Sequence, residues 1–191
     1  MPAISLPIAG SGRETLMSTM KEKPRLVHAF ILGLLATVFS LFLATGYTWA
    51  LTARASRSLL NLASISTNYL DSTFTIFVRL LDGSSVGFKI LIESSGLISV
   101  AIFCFIFVFT IGLLHGSLRT KITWLVLGIA VGLLWNVVRL AFTIGIAYRF
   151  GLGAFFLFHY LLSPSIDFIW IVSMWALAMS RLRKTKVVTL P

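Results

Sequence analysis

Long apolar runs separated by short polar stretches make up most of this chain. Four of these runs come close to the roughly 20 apolar residues that a helix needs to cross a bilayer. They cover residues 27–51, 96–114, 122–148 and 164–180. The pattern predicts an all-α integral membrane protein with about four transmembrane helices.

The segment between the first two runs has a different pattern. Residues 59–81 mix apolar and polar positions, which predicts a helix lying in the membrane interface. Asp82-Gly83 then separates two β-prone runs, residues 78–81 and 86–92. This arrangement indicates a hairpin. We expect these residues to form a small extracytoplasmic cap that leads into the second span.

Basic residues orient the predicted spans. Clusters at residues 13–25, 119–121 and 181–186 fall on one side of a four-span chain, and basic loops favour the cytoplasm. Both termini are therefore predicted to be cytoplasmic. Five basic residues on the outer side weaken this assignment without reversing it: Arg54, Arg57, Arg79, Lys89 and Arg149.

Composition supports a membrane protein rather than a nucleic-acid-binding one. Only 12% of the residues are charged, against roughly 25% in soluble domains. The net charge of +10 comes from residues that flank apolar runs, so membrane orientation explains it. We expect a disordered basic segment at residues 1–26, a transmembrane domain at 27–180 and a basic cytoplasmic tail at 181–191.

The first apolar run also has features of a signal peptide, because Ala53-Arg54-Ala55 has a small-x-small pattern. Its length of about 25 residues exceeds the usual 7–15 of a signal sequence, which favours an uncleaved anchor. The single cysteine, Cys104, excludes an internal disulfide. No metal or organic cofactor is implied, since one cysteine and one outer histidine are too few for a zinc site.

Arg139 is the most informative residue because it lies inside the third run. A guanidinium at that depth costs at least about 2.5 kcal/mol, so it usually faces a partner or a wet cavity. Asn136 is three residues earlier and shares its helical face. Two interpretations stay open: structural packing between helices, or a functional site.

Two further places offer polar chemistry near the outer surface. Ser94 and Ser95 precede the second apolar run, where serine commonly caps a helix. The same position also faces free helix N–H groups that can hold an oxyanion. His159, in the sequence FFLFHYLL, is the one histidine predicted on the outer side.

These motifs, in this order, resemble the exosortase/archaeosortase family of membrane transpeptidases. The matching segments are ESSGL at 93–97, NVVRL at 136–140 and FHYLLSPSIDF at 158–168. The resemblance covers about residues 60–180. Larger members carry additional N-terminal spans, so this chain corresponds to a short form.

The resemblance implies a cell-membrane enzyme that cleaves a C-terminal sorting signal of exported membrane proteins. Such a signal consists of a short motif, a span and a basic tail. The new carboxyl end then passes to a lipid or other envelope acceptor. Ser94 takes the nucleophile position, His159 the general base and acid, and Arg139 the partner of an oxyanion or a substrate carboxylate.

Neighbouring polar residues are expected to assist on the substrate side. Asn136 would orient Arg139 or a substrate carbonyl, and Ser95 would contact substrate. Glu93 and Asp167 would orient His159 or pair with basic groups.

One departure from the family is the nucleophile itself, because the family has cysteine where this chain has Ser94. A serine hydroxyl needs a base at the moment of attack. Three alternatives stay open: a serine nucleophile activated by His159, an inactive relative, or a cysteine-to-serine variant that traps substrate. A rival from another class is a non-enzymatic transport or assembly subunit that uses Asn136 and Arg139 to bind a partner.

Overall fold

A computed structural model describes the backbone of residues 11–92 and 94–184. It describes the side chains of residues 24–92 and 94–182. The protein is mostly helical with one small sheet. Its helices are α1 (Ser11–Leu43), α2 (Gly46–Leu62), α3 (Leu97–Thr110), α4 (Leu118–Leu157) and α5 (Ser163–Lys184), with a π-helical turn (Phe158–Leu162) before α5. Its strands are β1 (Thr67–Leu70), β2 (Thr75–Arg79) and β3 (Ser85–Lys89).

Helices α1, α3, α4 and α5 pack side by side in alternating directions. Gly96 at the start of α3 lies against Asn136 of α4, whereas Phe103 further along α3 lies against the earlier Gly128. These two helices are therefore antiparallel. The same reversal relates α1 to α3 and α4 to α5, as four contacts show: Gly33–Val108, Ala29–Gly112, Gly132–Trp170 and Arg139–Asp167.

The alternation gives this bundle two distinct ends. We call the end where α1 stops and α3 begins the upper end, and the opposite end the lower end. At the lower end Lys121 is fully buried, and its Nζ donates to the carbonyls of Gly112 and Leu114. Those carbonyls follow the last turn of α3, where a cation interacts favourably with the helix dipole.

Two segments of the described chain are long and apolar enough to cross a membrane. They are Pro24–Leu43 and Leu118–Leu182, and the second contains both α4 and α5. Helix α3 is apolar but has only 14 residues, which is about 21 Å at the rise of an α-helix. The described helices thus support association with a membrane.

The first apolar run does not continue to residue 51 as predicted. Helix α1 ends at Leu43, whose carbonyl accepts from Thr48 Oγ1 at 2.6 Å. Thr45 Oγ1 similarly donates to the carbonyl of Phe42. These hydroxyls satisfy carbonyls that the end of a helix leaves free, so the chain can turn before α2 begins.

The first boundary also differs from the prediction of a disordered start. Helix α1 begins at Ser11, so residues 11–26 are helical. Residues 1–10 and 185–191 lie outside the described residues. Helix α5 extends to Lys184, so the first four residues of the predicted basic tail are helical.

Residues 59–81 form mainly strands and turns rather than the predicted interfacial helix. The amphipathic helix comes earlier, as α2. Its buried face consists mostly of small and hydroxyl-bearing residues: Thr48, Thr52, Ala53, Ser56 and Leu60. Ser64 follows the end of α2 with φ of 62°, a conformation unfavourable to helix continuation. β-prone residues then form β1 and β2, since their side chains suit a half-buried pleated surface.

The predicted hairpin at Asp82-Gly83 is present. It joins β2 to β3, with Arg79 opposite Ser85. Gly83 has φ of 87°, which residues with a side chain disfavour. The backbone N–H and the hydroxyl of Ser84 both donate to Asp82, and these bonds lower the pKa of that carboxyl.

Two hydrophobic cores support the molecule. The bundle core joins α1, α3, α5 and the first half of α4, around Phe103 and Phe107. The second core lies between α2, the sheet and the second half of α4, around Ile76 and Ile144. We call residues 46–92 the cap. Packing of the cap on α4 places β3 beside the upper end of the bundle.

Substituting Gly128 should test the close contact between α3 and α4. The new methyl of Gly128→Ala overlaps the buried ring of Phe103, so we expect it to lower stability by about 1–3 kcal/mol. Gly153→Ala places its methyl in open space in the helical segment that follows the break of α4 at Gly151 and should be neutral or slightly stabilising. Thermal unfolding in detergent measures both. Equal stability of the two variants would contradict this packing.

Candidate functional site

Arg139 faces the interior of the bundle rather than lipid. Its side chain is 9% exposed and forms an ion pair through Nη1 with Asp167 Oδ2 of α5, which is equally buried. Arg139 Nη2 also donates to Asn136 Oδ1 at 2.8 Å. The planar guanidinium fork thus holds two partners at once, which a lysine ammonium could not do in the same geometry.

Asp167 connects the three helices of the site. The same oxygen that binds Arg139 also accepts from Ser99 Oγ of α3 at 2.5 Å. A buried carboxylate needs such partners because its desolvation is costly. Asp167 therefore pairs with a basic group, one of the two roles expected from the sequence, and fixes α5 against α3 and α4.

Asn136 extends this network to the turn before α3. Its side chain is buried, and Nδ2 donates to the backbone carbonyl of Ser94 at 3.2 Å. Gly96 makes this approach possible, because a Cβ there would lie 2.6 Å from Asn136 Cγ. The φ of Gly96 is 79°, a conformation that also favours glycine.

The Ser94 hydroxyl is held by the backbone of Leu91. Its Oγ accepts from the Leu91 N–H at 2.9 Å and donates to the Leu91 carbonyl at 3.1 Å. This arrangement stabilises the turn that precedes α3. The hydroxyl proton of Ser94 points to the Leu91 carbonyl. Before Ser94 can attack a substrate, this hydrogen bond must break and the proton must turn towards a base.

The other predicted residues of this turn contribute differently. Ser95 Oγ donates to the Ile92 carbonyl at 2.7 Å and accepts from the Leu97 N–H at 3.4 Å. It thus helps to cap α3, and it does not line either of the cavities described below. Glu93 lies outside the described residues.

A cavity of about 310 Å³ contains both Ser94 and His159. Strand β3 and the residues just after it form one wall, and we call this space the strand cavity. The opposite wall is formed by aromatic residues near the end of α4 and in the π-helical turn: Phe155, Phe156, His159 and Tyr160.

A second cavity of about 360 Å³ contains Arg139 and Asp167, and we call it the ion-pair cavity. Ser99 and Ser163 also line it. His159 and Tyr160 line both cavities, which are therefore adjacent.

The His159 ring is oriented by aromatic neighbours. It stacks on Phe155 with centroids 5.2 Å apart and meets the Tyr160 ring edge-on at 5.0 Å. The π-helical turn carries both His159 and Tyr160. Such turns often occur at functional sites.

The structure therefore brings the predicted residues together in two linked groups. Ser94 and His159 share the strand cavity, while Arg139, Asp167 and His159 share the ion-pair cavity. Asn136 bridges the groups, because it contacts the Ser94 carbonyl and the Arg139 guanidinium.

Sequence reasoning missed Ser99, Tyr160 and Ser163. Ser163 is 1% exposed, and its Oγ has no hydrogen-bond partner within the described part of the chain. Because Ser163 precedes Pro164, it looks in sequence like an ordinary helix start. The role of Ser99 can be recognised only in the folded structure, where α5 places Asp167 beside it.

The described residues include no group of three or more His, Cys, Asp or Glu side chains arranged to hold a metal. Comparisons of the chain with protein-family models, with curated proteins and with solved structures find no match. The predicted site residues that the structure describes all lie at the upper end of the bundle.

The buried ion pair should be essential for stability. We expect Asp167→Asn to destabilise the protein by about 3 kcal/mol or more, because it leaves a buried guanidinium without a counter-charge. Adding Arg139→Gln should restore part of that loss. Chemical denaturation in detergent measures the single and double variants.

The exposed pair Arg54–Asp71, with both side chains 64% exposed, provides a matched control. Asp71→Asn should change stability far less, since exposed ion pairs contribute little. Similar losses for Asp71→Asn and Asp167→Asn would contradict the structural role of the buried pair.

Proposed function

We propose that this chain is a multi-pass membrane transpeptidase of the exosortase/archaeosortase type. It would cleave the C-terminal sorting signal of exported membrane proteins and transfer the new carboxyl end to a lipid or envelope acceptor. The observation that carries the proposal is the strand cavity, in which Ser94 and His159 face the same space.

The reaction is an acyl transfer in two steps. Ser94 Oγ forms a bond to the carbonyl carbon of the scissile peptide, and its proton passes to His159. The C–N bond then breaks, and His159 returns the proton to the leaving amine. In the second step an acceptor hydroxyl or amine attacks the serine ester, gives its proton to His159 and releases Ser94, which regains a proton.

Backbone N–H groups at the start of α3 would stabilise the oxyanion. The first N–H groups of a helix lack partners inside the helix and carry partial positive charge. Ser94 lies just before this helix start, so attack would occur beside those donors.

Arg139 would act mainly from the ion-pair cavity. Its bonds to Asp167 and Asn136 position the Ser94 turn, and its exposure to the cavity allows contact with a carboxylate of the substrate or acceptor. The bonds to Asp167 and Asn136 give Arg139 a role inside the chain that requires no partner helix.

A four-span topology with an extracytoplasmic site is part of this proposal. The bundle helices alternate in direction, and the basic clusters at residues 13–25, 119–121 and 181–186 belong in sequence to the lower end. They hold ten Lys and Arg residues, against five on the other side. Basic residues at one end favour the cytoplasmic side for that end. The upper end, with both cavities, would then face outward.

An inactive relative is the second candidate, favoured by the two bonds between Ser94 Oγ and the backbone of Leu91. In that case the hydroxyl only stabilises the turn. The chain would bind a sorting signal without cleaving it.

Labelling with an alkyl fluorophosphonate tests for an activated serine. We expect covalent labelling at Ser94 in the wild-type protein, and its loss in Ser94→Ala and His159→Ala, because the hydroxyl needs a base. Intact mass and peptide mapping identify the site. Ser117→Ala removes a helix-capping hydroxyl at the lower end and should leave labelling unchanged.

An unlabelled wild type would favour the inactive relative. The variant Ser94→Cys, in a Cys104→Ala background, separates the two candidates further. Restored processing of a co-expressed membrane protein with a sorting signal, seen only with Ser94→Cys, would establish an inactivated enzyme. Processing by wild type but not by Ser94→Ala would establish the serine enzyme.

Reporter fusions test the topology. Fusions after residues 60 and 155 should report an extracytoplasmic location, and a fusion after residue 116 a cytoplasmic one. The reason is that the first two positions lie towards the upper end and the third lies at the lower end. A cytoplasmic signal at 60 or 155 would overturn the four-span arrangement.

A further inference from the structure

Strand β3 is an edge of the sheet, whose order is β1-β2-β3. Its pairing with β2 uses alternate residues. Leu80 N donates to the Ser84 carbonyl at 2.8 Å, and Ile90 N donates to the Phe74 carbonyl at 3.0 Å. In an antiparallel ladder the residues between these bonded positions direct their backbone groups to the opposite side.

Those outward residues are Ser85, Gly87, Lys89 and, beyond the strand, Leu91. The outward N–H and C=O groups of Gly87 and Lys89 make no hydrogen bond to any other described residue. Residues 86–91 also line the strand cavity. Unpaired backbone donors and acceptors therefore run along the space that contains Ser94 and His159.

The next position on this edge is occupied by the predicted nucleophile. The Leu91 N–H donates to Ser94 Oγ, while the Leu91 carbonyl accepts from that hydroxyl and also from the backbone N–H groups of Ser94 and Ser95. At the Leu91 N–H the hydroxyl thus lies where an added strand would place a carbonyl oxygen. Lys89 and Leu91 are two residues apart, or about 7 Å along a strand.

We propose that the free edge of β3 binds the substrate as an extended fourth strand. The proposal rests on the proposed function. Backbone groups of the substrate pair with Gly87 and Lys89, and the next peptide unit reaches Leu91. A carbonyl of that unit replaces Ser94 Oγ as the acceptor of the Leu91 N–H. Because the Leu91 carbonyl keeps its bonds from the Ser94 and Ser95 N–H groups, the hydroxyl can leave it and give its proton to His159.

The chemistry of the edge selects a peptide as the occupant. Adding a strand satisfies backbone donors and acceptors with matching groups at matching spacing, whereas a lipid chain has no such groups. The aromatic wall opposite β3 supplies apolar contact for alternate side chains of the bound segment. Substrate binding and activation of the nucleophile are thereby the same event.

Three covalent probes test this mode of binding on the full-length protein. The first is the alkyl fluorophosphonate, the second carries a trialanyl segment, and the third carries the same segment with N-methylated amides. We expect the trialanyl probe to label Ser94 at least tenfold faster than its N-methylated form, because methylation removes the backbone donors and places a methyl group where the strand edge would pair. The alkyl probe reports the chemistry without strand pairing.

Two proline variants locate the effect on the edge. Lys89→Pro removes an outward N–H beside the cavity and should bring the rate for the trialanyl probe close to that of the N-methylated one. Ser85→Pro removes an outward N–H on the same edge but outside the cavity, so the tenfold preference should persist. Proline is tolerated on edge strands where the N–H faces away from the ladder.

The three probes distinguish failure of edge binding from failure of the proposed function. Equal rates for the two peptide probes, with normal alkyl labelling, would overturn edge binding while the proposed function stands. No labelling by any probe would overturn the proposed function and this inference with it. The N-methylated probe changes only the ligand, so it decides the question even where Lys89→Pro fails to fold.

Discussion

The buried pair of Arg139 and Asp167 is the interaction on which the upper end of the protein depends. A guanidinium in an apolar bundle is tolerated only when its charge and its donors are satisfied. Here one carboxylate oxygen compensates the charge of Arg139, that oxygen and one amide oxygen accept two of its five N–H donors, and the same carboxylate binds Ser99. The positions of α3, α4 and α5 at this end are therefore fixed by a single electrostatic requirement.

That requirement also determines the geometry of the Ser94 turn. Asn136 is oriented by Arg139 through Oδ1, which leaves Nδ2 directed at the Ser94 carbonyl. Gly96 leaves the space that Asn136 needs. Arg139 thus positions the candidate nucleophile indirectly. It bonds to Asn136, Asn136 bonds to the Ser94 carbonyl, and no described bond joins Arg139 directly to Ser94.

Sequence patterns predicted the parts of this protein that local chemistry determines. The Asp82-Gly83 hairpin was found because the turn residues and the β-prone runs are adjacent. The polar face of α4 was found because Asn136 and Arg139 are three residues apart. Ser94 was predicted as a site residue because it precedes an apolar run, and His159 because it is the one histidine predicted on the outer side.

Features that depend on distant contacts escaped prediction. The break after Leu43 depends on hydroxyls that satisfy the carbonyls of the last helical turn. The pattern of apolar residues does not indicate where this break occurs. Strand β1 was not predicted because residues 59–81, considered by themselves, mix apolar and polar positions in a way that also suits an interfacial helix. The roles of Ser99 and Ser163 arise from helix packing, which a single sequence does not specify.

Helix α4 contributes to both hydrophobic cores, with Leu125 and Ile129 in the bundle and Leu140 and Ile144 beneath the sheet. Asn136 and Arg139 lie between these two sets, at the seam where one core ends and the other begins. The cap and the four-helix bundle therefore have separate cores that share only α4. The buried charges of Arg139 and Asp167 tie three bundle helices together, whereas the unpaired backbone groups of β3 belong to the cap, so the two features depend on different packing.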